Sequence, residues 1–480
     1  MGKRKFGYEW IVLSVTTIGA LLASMQSSAL LIALPELMGS LNIDFLTIMW
    51  VILAYMLLTT VMLPIVGRLA DIYGRKKLYL SGFAIFTIAS LLCCFSLPQF
   101  NGWDLVIYRA IQGLGGALLL GNSTALVADA FDTRKLGLGL GINQVAGAAG
   151  IVLGPVVGGM LVGYGWWAIF AFNVPLGIIG TLWGLRSLRE TVIKSANDSF
   201  DVKGCIFVSV GLTFLLLGIT LLAFPIIDMI WVYVMIIVGA VALVLFIHAE
   251  LKVKQPMINL RLFKNRAYAV SNFTNFTTGL ARSAILFALI CYFQGPYGMD
   301  PLTAGLALIP YGISFMILGP IAGRLSDSYG TKYVALSGLI LMAVGLLCLT
   351  TIHENTSFVL LSFFMILIGI GSGLFSSPNS STVMKAAPPQ ERGSAASTRM
   401  MLMNAGGMFS FTIAFPILFK GIEDYMEQIF IEGGGVPLEI LGPIIDNIHE
   451  TFFVFFIVAF VSVLIGFFQP KDPGLESHKS

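Results

Sequence analysis

Three arginines, Arg109, Arg282 and Arg399, stand inside long apolar runs, whereas all 25 aspartates and glutamates can be placed in polar connections or at the ends of those runs. An arginine keeps its charge in a protein, and at membrane depth that charge is costly enough to mark a functional candidate by default. Arg109 belongs to Tyr108-Arg109-Ala110-Ile111-Gln112-Gly113-Leu114-Gly115-Gly116 and lies about 9 Å below the outer end of its helix at 1.5 Å per residue. It is the candidate for proton or substrate coupling; the structural alternative is an outward reach toward Asp104. Arg282, about 15 residues into its run, falls near mid-membrane. It either meets cargo or is tied to backbone carbonyls, Asn272, Asn275 or Gln294. Arg399, near an inner helix end, can snorkel to water. Embedded cations without an embedded acid point toward an anionic or polar cargo, such as an organic anion or a lipid head group.

Other residues of suitable chemistry are uncharged. Gln26, Tyr55, Asn122, Asn143, Gln144 and Asn379, with Arg282, are the candidates for lining a substrate cavity, although buried polar groups can equally serve to join helices. A glycine series, Gly147, Gly150, Gly154-Pro155 and Gly158-Gly159, recurs near helical spacing. It suits a hinge made by Gly150, Gly154, Pro155, Gly158 and Gly159, or close helix packing. The segment Gly67 to Leu80 is echoed 256 residues later at Gly323 to Leu336, and the aligned stretch from Pro64/Pro320 to Gly82/Gly338 shares 12 of 19 residues. Gly67 and Gly74 are expected to turn the chain there, with Arg68, Asp71, Arg75 and Lys76 as the charged members of a gating loop; Gly323, Arg324, Asp327 and Gly330 form its copy. Basic residues alone fit an inner-face anchor. The recurrence of Asp71 and Asp327 suggests a latch in which each carboxylate meets a helix N-terminus of the opposite half. The expected partners are Gly393 to Ser397 for Asp71 and Lys135 to Gly139 for Asp327.

The elements that must position these residues are membrane helices. A chain of 480 residues with 57% hydrophobic and 11% charged residues cannot hide its apolar side chains in a water-soluble globule. Runs long enough to span hydrocarbon fall near 10–37, 44–66, 78–97, 103–128, 137–163 and 166–185, then 203–224 and 229–249, then 267–292, 303–323, 333–352, 357–383, 395–419 and 449–468. The expected fold is an all-α integral membrane protein with 14 transmembrane helices in a 6+2+6 layout, the sixes forming two pseudo-symmetric bundles. Residues 1–185 make the first bundle, 186–266 a connector with two inserted helices, 267–470 the second bundle and 471–480 a cytoplasmic tail. With both termini cytoplasmic, three of the 28 lysines and arginines lie within helices, only Lys420 falls outside, and the other 24 fall in cytoplasmic segments, as the positive-inside rule requires. Lys3, Arg4 and Lys5 precede a full-length apolar run without a cleavage signal, so the first helix is expected to insert the chain. A long external loop between Lys420 and Glu450 carries acidic residues around Gly433 to Gly435 and reads as a solvated surface. The five cysteines lie in apolar runs without metal spacing and read as buried thiols.

Taken together, these motifs resemble the major facilitator superfamily, in its fourteen-helix drug/proton antiporter branch. Gly67 to Leu80 resembles the loop 2-3 signature, Arg109 to Gly116 the helix 4 signature, and Gly150 to Gly159 the antiporter signature of helix 5. The resemblance implies a major facilitator fold, alternating access around a central cavity, and multidrug-type efflux of small amphipathic or drug-like compounds across the cytoplasmic membrane, driven by protons. It also implies a departure: Met25 to Pro35 reads MQSSALLIALP, with Gln26 where the branch usually has an acid. An anionic or lipid-linked substrate with different coupling is therefore the alternative within transport, and a non-transporting scaffold or sensor the alternative outside it. No enzymatic, cofactor, metal or nucleic-acid motif is present; the four histidines are scattered over helix ends and loops. The expected partners are a small-molecule substrate, protons and the lipid bilayer, with a monomer as the simplest state.

Overall fold

The computed structural model describes residues 7–131, 136–190, 201–223, 227–253, 256, 258–388, 391–421 and 438–471. Among them are fourteen helical spans long and apolar enough to cross a membrane, and no strand. They are α1 (Tyr8–Ile32), α2 (Phe45–Tyr73), α3 (Arg75–Cys93), α4 (Trp103–Ala130), α5 (Leu136–Val162), α6 (Ala168–Ala171 and Asn173–Ser187), α7 (Val202–Ala223), α8 (Met229–Lys252), α9 (Arg266–Arg282 and Ile285–Gln294), α10 (Pro301–Ala307 and Ile309–Tyr329), α11 (Thr331–Leu349), α12 (Phe358–Ala386), α13 (Arg392–Leu418) and α14 (Leu438–Phe467). Side chains cap several starts: Asp44 accepts from the Thr47 N–H (2.9 Å), Asn265 from Ala267 (2.9 Å) and Asp300 from Leu302 (3.0 Å). Each satisfies a backbone donor that the helix itself leaves open.

Small residues build the two six-helix repeats in the same way. A Cβ on Gly113 would lie 2.5 Å from the Tyr55 carbonyl oxygen, and one on Gly369 would lie 2.3 Å from that of Tyr311. Likewise Gly115 faces the Phe86 nitrogen at 2.6 Å and Gly371 the Met342 nitrogen at 2.5 Å. Every residue in the second pair of contacts is its counterpart plus 256, so the sequence offset is also a packing offset. In α1 and α9 the register slips by one. Gly150 faces the Leu21 carbonyl oxygen and Gly406 that of Phe276; the Gly154 Cβ position lies 2.9 Å from the Ala29 nitrogen, while Ser410 accepts from the Ala284 N–H at 3.0 Å. Arg282 consequently corresponds to Ser27, not to Gln26.

The inserted pair lies against one lateral seam between the repeats. Val208 of α7 and Phe246 of α8 join Leu63 and Ile65 of α2 and Met401 of α13 in one apolar cluster. Thr220 and Thr412 hydroxyls meet at 3.1 Å, fixing α7 to α13. The outer surface of α8 is apolar, with Ile230, Trp231 and Tyr233 exposed, as a lipid-facing helix requires.

Several expected boundaries are corrected. The repeated signature is not an extended loop: α2 continues to Tyr73 and α3 starts at Arg75, because the polar residues extend both helices beyond the apolar span. Gly67 sits inside α2 and makes no turn. The turn belongs to Gly74 alone (φ +103°), and to Gly330 (φ +85°) in the copy, both in backbone conformations that side chains resist. The first span stops at Ile32, and Pro35 lies in the first turn of a separate helix, Leu34–Leu41. The last span begins at Leu438 instead of near residue 449, which places Asp446 in α14. The acidic positions Glu423, Asp424, Glu427 and Glu432, with Gly433 to Gly435, lie outside the described residues.

Backbone approach at the matched glycines predicts matched sensitivity. Gly115→Val and Gly371→Val should each lower stability by about 1–3 kcal/mol or more through overpacking, whereas Gly141→Ala, with nothing within 4 Å of its added Cβ, should melt with the parent. Thermal unfolding of the purified variants checks this.

Candidate functional site

Arg109 is fully enclosed by its own repeat and does not reach for Asp104. Its side chain is 1% exposed. Nε donates to the Val51 carbonyl oxygen at 3.1 Å, Nη1 donates to Gln112 Oε1, and the guanidinium lies 4.4 Å from the centre of the Tyr55 ring. Gln112 passes the network on, donating through Nε2 to Ser90 Oγ (2.7 Å), which donates to the Phe86 carbonyl oxygen (2.7 Å). Tyr55 donates to the Ala23 carbonyl oxygen at 3.1 Å. A single cation thus ties α1, α2, α3 and α4 together. Asp104 is engaged elsewhere, accepting from Ser96 Oγ (2.7 Å) and the Leu97 N–H (2.9 Å). The snorkelling alternative therefore does not hold. Helical spacing alone placed Arg109 at depth and Gln112 one turn on, but its acceptor Val51 depends on how α2 packs against α4.

The repeats meet differently at their two ends. At the end remote from Arg75, Leu31, Leu34 and Met38 of the first repeat face Phe287, Phe415 and Phe419 of the second across a narrow apolar gap. Phe287 and Phe415 rings lie 4.8 Å apart, and Phe415 stacks on Phe419 at 6.1 Å. Glycines bring the backbones together here: Cβ atoms on Gly305 and Gly159 would lie 2.5 Å from the Pro155 carbonyl oxygen and 2.6 Å from that of Pro301. The Gly-Pro series of α5 therefore packs on two partners. Gly150, Gly154 and Gly158 face α1, while Pro155 and Gly159 face α10. The α5 helix runs on through Pro155.

Toward the Arg75 end, a recess opens between α5 and the α10/α12 pair. Gln144 and Ala148 form one wall; Phe315, Ser376 and Ser377 form the other. Gln144 Nε2 still donates across it to Ser380 Oγ at 3.1 Å. On the opposite seam a Cβ on Gly67 would lie 2.8 Å from Ser397 Oγ. The expected approach of α2 to the start of α13 is thus present at Gly67, whereas the side chains of Asp71 and Asp327 lie outside the described residues. Gly323 faces Ser377 of its own repeat at 3.2 Å. Arg75 pairs with Asp129 at the end of α4, Lys76 Nζ donates to the Leu185 carbonyl oxygen (3.2 Å), Arg68 is half-buried and Arg324 exposed.

The remaining candidates divide between joining helices and facing space. Gln26 is buried and accepts from Asn173 of α6, a partner that sequence spacing had not suggested. Asn122 donates to the Leu118 carbonyl oxygen at 2.9 Å, Asn143 accepts from Ser123 at 3.0 Å, and Asn379 donates to the Ser271 carbonyl oxygen at 2.8 Å. Arg399 is buried, with Nη1 donating to Asn275 Oδ1 (3.3 Å), and Asn275 donates back to the Arg399 carbonyl oxygen (2.7 Å). Arg282 closes the first segment of α9 and lies 5.2 Å from the centre of the Phe315 ring. It makes no hydrogen bond or ion pair among the described residues. Asn272, Asn275 and Gln294 do not bind it. His353 and His449, far apart in sequence, come together with ring centres 5.7 Å apart beyond the apolar seal. Among the described residues no group of three or more metal-ligating side chains forms.

Two helical repeats of matched packing around a shared seam, with interrupted spans among them, define the class of secondary transporters built from internal repeats. Residues 16–203 and 272–480 match the model of the Major Facilitator Superfamily. The chain belongs to that superfamily, and it carries the chemistry of a transporter and not of an enzyme. It is 32% identical over 80% of its length to the riboflavin transporter RibZ of Clostridioides difficile, covering 83% of that protein. It is 30% identical over 79% of its length to the multidrug transporter protein MdtP of Bacillus subtilis, covering 70% of it. Its fold matches the crystal structure of a D-xylose-proton symporter with a TM-score of 0.66 at 16% identity, over 97% of this chain and 99% of that one.

The Arg109 network predicts a specific cost. Gln112→Leu removes an acceptor from a buried cation and should destabilise the protein by about 1.5–3 kcal/mol, while Gln112→Glu should fold and hold Arg109 in place. Unfolding in mild detergent distinguishes the two.

Proposed function

We propose that this protein exports small amphipathic compounds across the plasma membrane by alternating access, in exchange for protons, with the Arg75 end of both repeats facing the cytoplasm. The observation that carries the reading is the asymmetric seam: a phenylalanine-lined closure at one end and, at the other, a recess that Gln144 and Ser380 bridge in its α5/α12 wall. A molecule entering the recess would meet an apolar wall with scattered hydroxyl and amide groups, which suits a body that is mostly apolar with a few polar points. The relatives support the cargo class, since their names describe riboflavin and multidrug transport. Arg109 is the coupling element in this reading, because its network crosses α1 to α4 and any shift of α2 is felt at Val51 and Tyr55. Asp71 and Asp327 would latch the cytoplasmic ends while the other ends part.

Two outcomes follow. In proteoliposomes with an imposed pH gradient, amphiphile movement should run against the proton gradient and collapse with a protonophore; flux indifferent to the gradient would sink the coupling. Gly305→Val should wedge the closed end apart by overpacking worth about 1–3 kcal/mol in one state only, shifting the balance between states roughly 5- to 150-fold. Disulfide cross-linking of Met38→Cys with Phe419→Cys should fall accordingly.

A further inference from the structure

We infer that Arg282 is the receptor for an anionic group on the transported molecule, so that the favoured cargo is an organic anion: a carboxylate or phosphate on an apolar, ring-bearing body. The inference rests on the transporter reading above and specifies its substrate.

The three embedded arginines are not in the same situation. Arg109 is buried, with carbonyl, amide and ring partners. Arg399 is buried and donates to Asn275. Arg282 is only half-buried and lies over the face of Phe315, with no hydrogen bond or ion pair among the described residues. Its guanidinium offers five N–H donors in a fixed fork that matches the two oxygens of a carboxylate or phosphate. At mid-span, with no protein acceptor among the described residues, such a fork is a functional candidate by default, and another molecule can supply the acceptors.

Access and charge agree with this. Phe315, under Arg282, is also a wall of the recess that opens toward the Arg75 end. Tyr311 stacks beside it at 6.5 Å, extending an aromatic surface on which a ring can lie. Arg282 and Arg399 are both embedded cations of the second repeat, and no carboxylate pairs with either among the described residues. An anion between recess and arginine balances this positive charge; a cation would add to it. The break in α9 fixes the position. Arg282 ends the segment Arg266–Arg282, and the Ala284 N–H turns to Ser410 Oγ, so the side chain leaves the helix where the helix itself is interrupted.

The test uses the full-length protein in detergent and radiolabelled 1-naphthyl phosphate, measured by scintillation proximity with competition by 1-naphthoate, 1-naphthalenemethanol and 1-naphthylmethylammonium. The two anions should bind at least about tenfold more tightly than the alcohol, and the ammonium most weakly. Arg282→Gln should lose that preference while retaining the alcohol, and Arg282→Lys should restore part of it. Phe315→Leu, which keeps the charge, should weaken all ring-bearing probes alike. Short-chain phosphatidylglycerol as competitor separates the sources of the anion: displacement at lower concentration than 1-naphthoate indicates a lipid head group, and the reverse a free organic anion. Equal binding of anions and alcohol, undiminished anion binding in Arg282→Gln, or no binding of any anionic probe overturns the inference. In proteoliposomes of the same protein with an imposed pH gradient, flux of the neutral alcohol without anion preference would overturn it while leaving the transporter reading intact; absence of flux for every probe would overturn both.

Discussion

Hydrocarbon offers no hydrogen bonds, so each polar group placed at membrane depth must find its partner within the protein. That constraint organises much of what is seen here. Serines and threonines along the spans turn back on their own helices, as Thr16 does on the Val12 carbonyl oxygen and Thr382 on that of Pro378. Amides pair between helices, as Gln26 and Asn173 do. Where α9 breaks, Ser410 from α13 accepts the Ala284 N–H. The arginine beside that break carries a full charge and makes no hydrogen bond or ion pair among the described residues.

The constraint also explains why glycine carries so much of the packing. Apolar side chains gain little by leaving lipid for one another, so helices associate through close contact that only small residues permit. Gly113 against Tyr55 and Gly369 against Tyr311 bring backbones together within each repeat. Gly159 and Gly305 do the same between repeats. The former contacts make each repeat a stiff body. The latter join the two bodies only on one face of α5 and α10, where parting would cost little beyond van der Waals contact. With α7 and α8 laid along the α2/α13 seam, the α5/α10 seam is the side on which the recess lies open.

Much of this was legible in the residues. The 256-residue offset found in Gly67 to Leu80 holds in the contacts of Gly113, Gly115, Gly369 and Gly371, because packing of small residues against backbone leaves a direct trace in sequence. The number and order of spans follow from length and hydropathy for the same reason. Boundaries were less legible where polar residues continue a helix into water, as at Arg68 to Tyr73, since periodicity registers the apolar span and not the whole helix. Partners were least legible. Arg109 is five residues from Asp104, but its acceptor on a neighbouring helix is Val51, 58 residues away. Such pairings depend on how helices rotate against one another, and rotation is set by glycine contacts that no single motif reveals.

The departure at Gln26 takes on a different meaning in three dimensions. An acid at that position would lie buried against Asn173, inside the first repeat, where ionisation would be costly without a cation beside it. The amide pairs there at lower cost, so its presence follows from the local partner and does not by itself remove a charge from the seam. The half-buried charge of the second repeat belongs to Arg282, over the Phe315 ring that lines the recess and at the counterpart of Ser27. A transporter whose first repeat encloses its arginine and whose second repeat presents one has separated the cation that holds its helices together from the cation left open to a ligand. Exchanging Ser27 for arginine in the first repeat would place a second charge near Tyr55 and Arg109, whereas in the second repeat Met365 occupies the place of Arg109 and leaves room for Arg282 to stand charged beside Phe315.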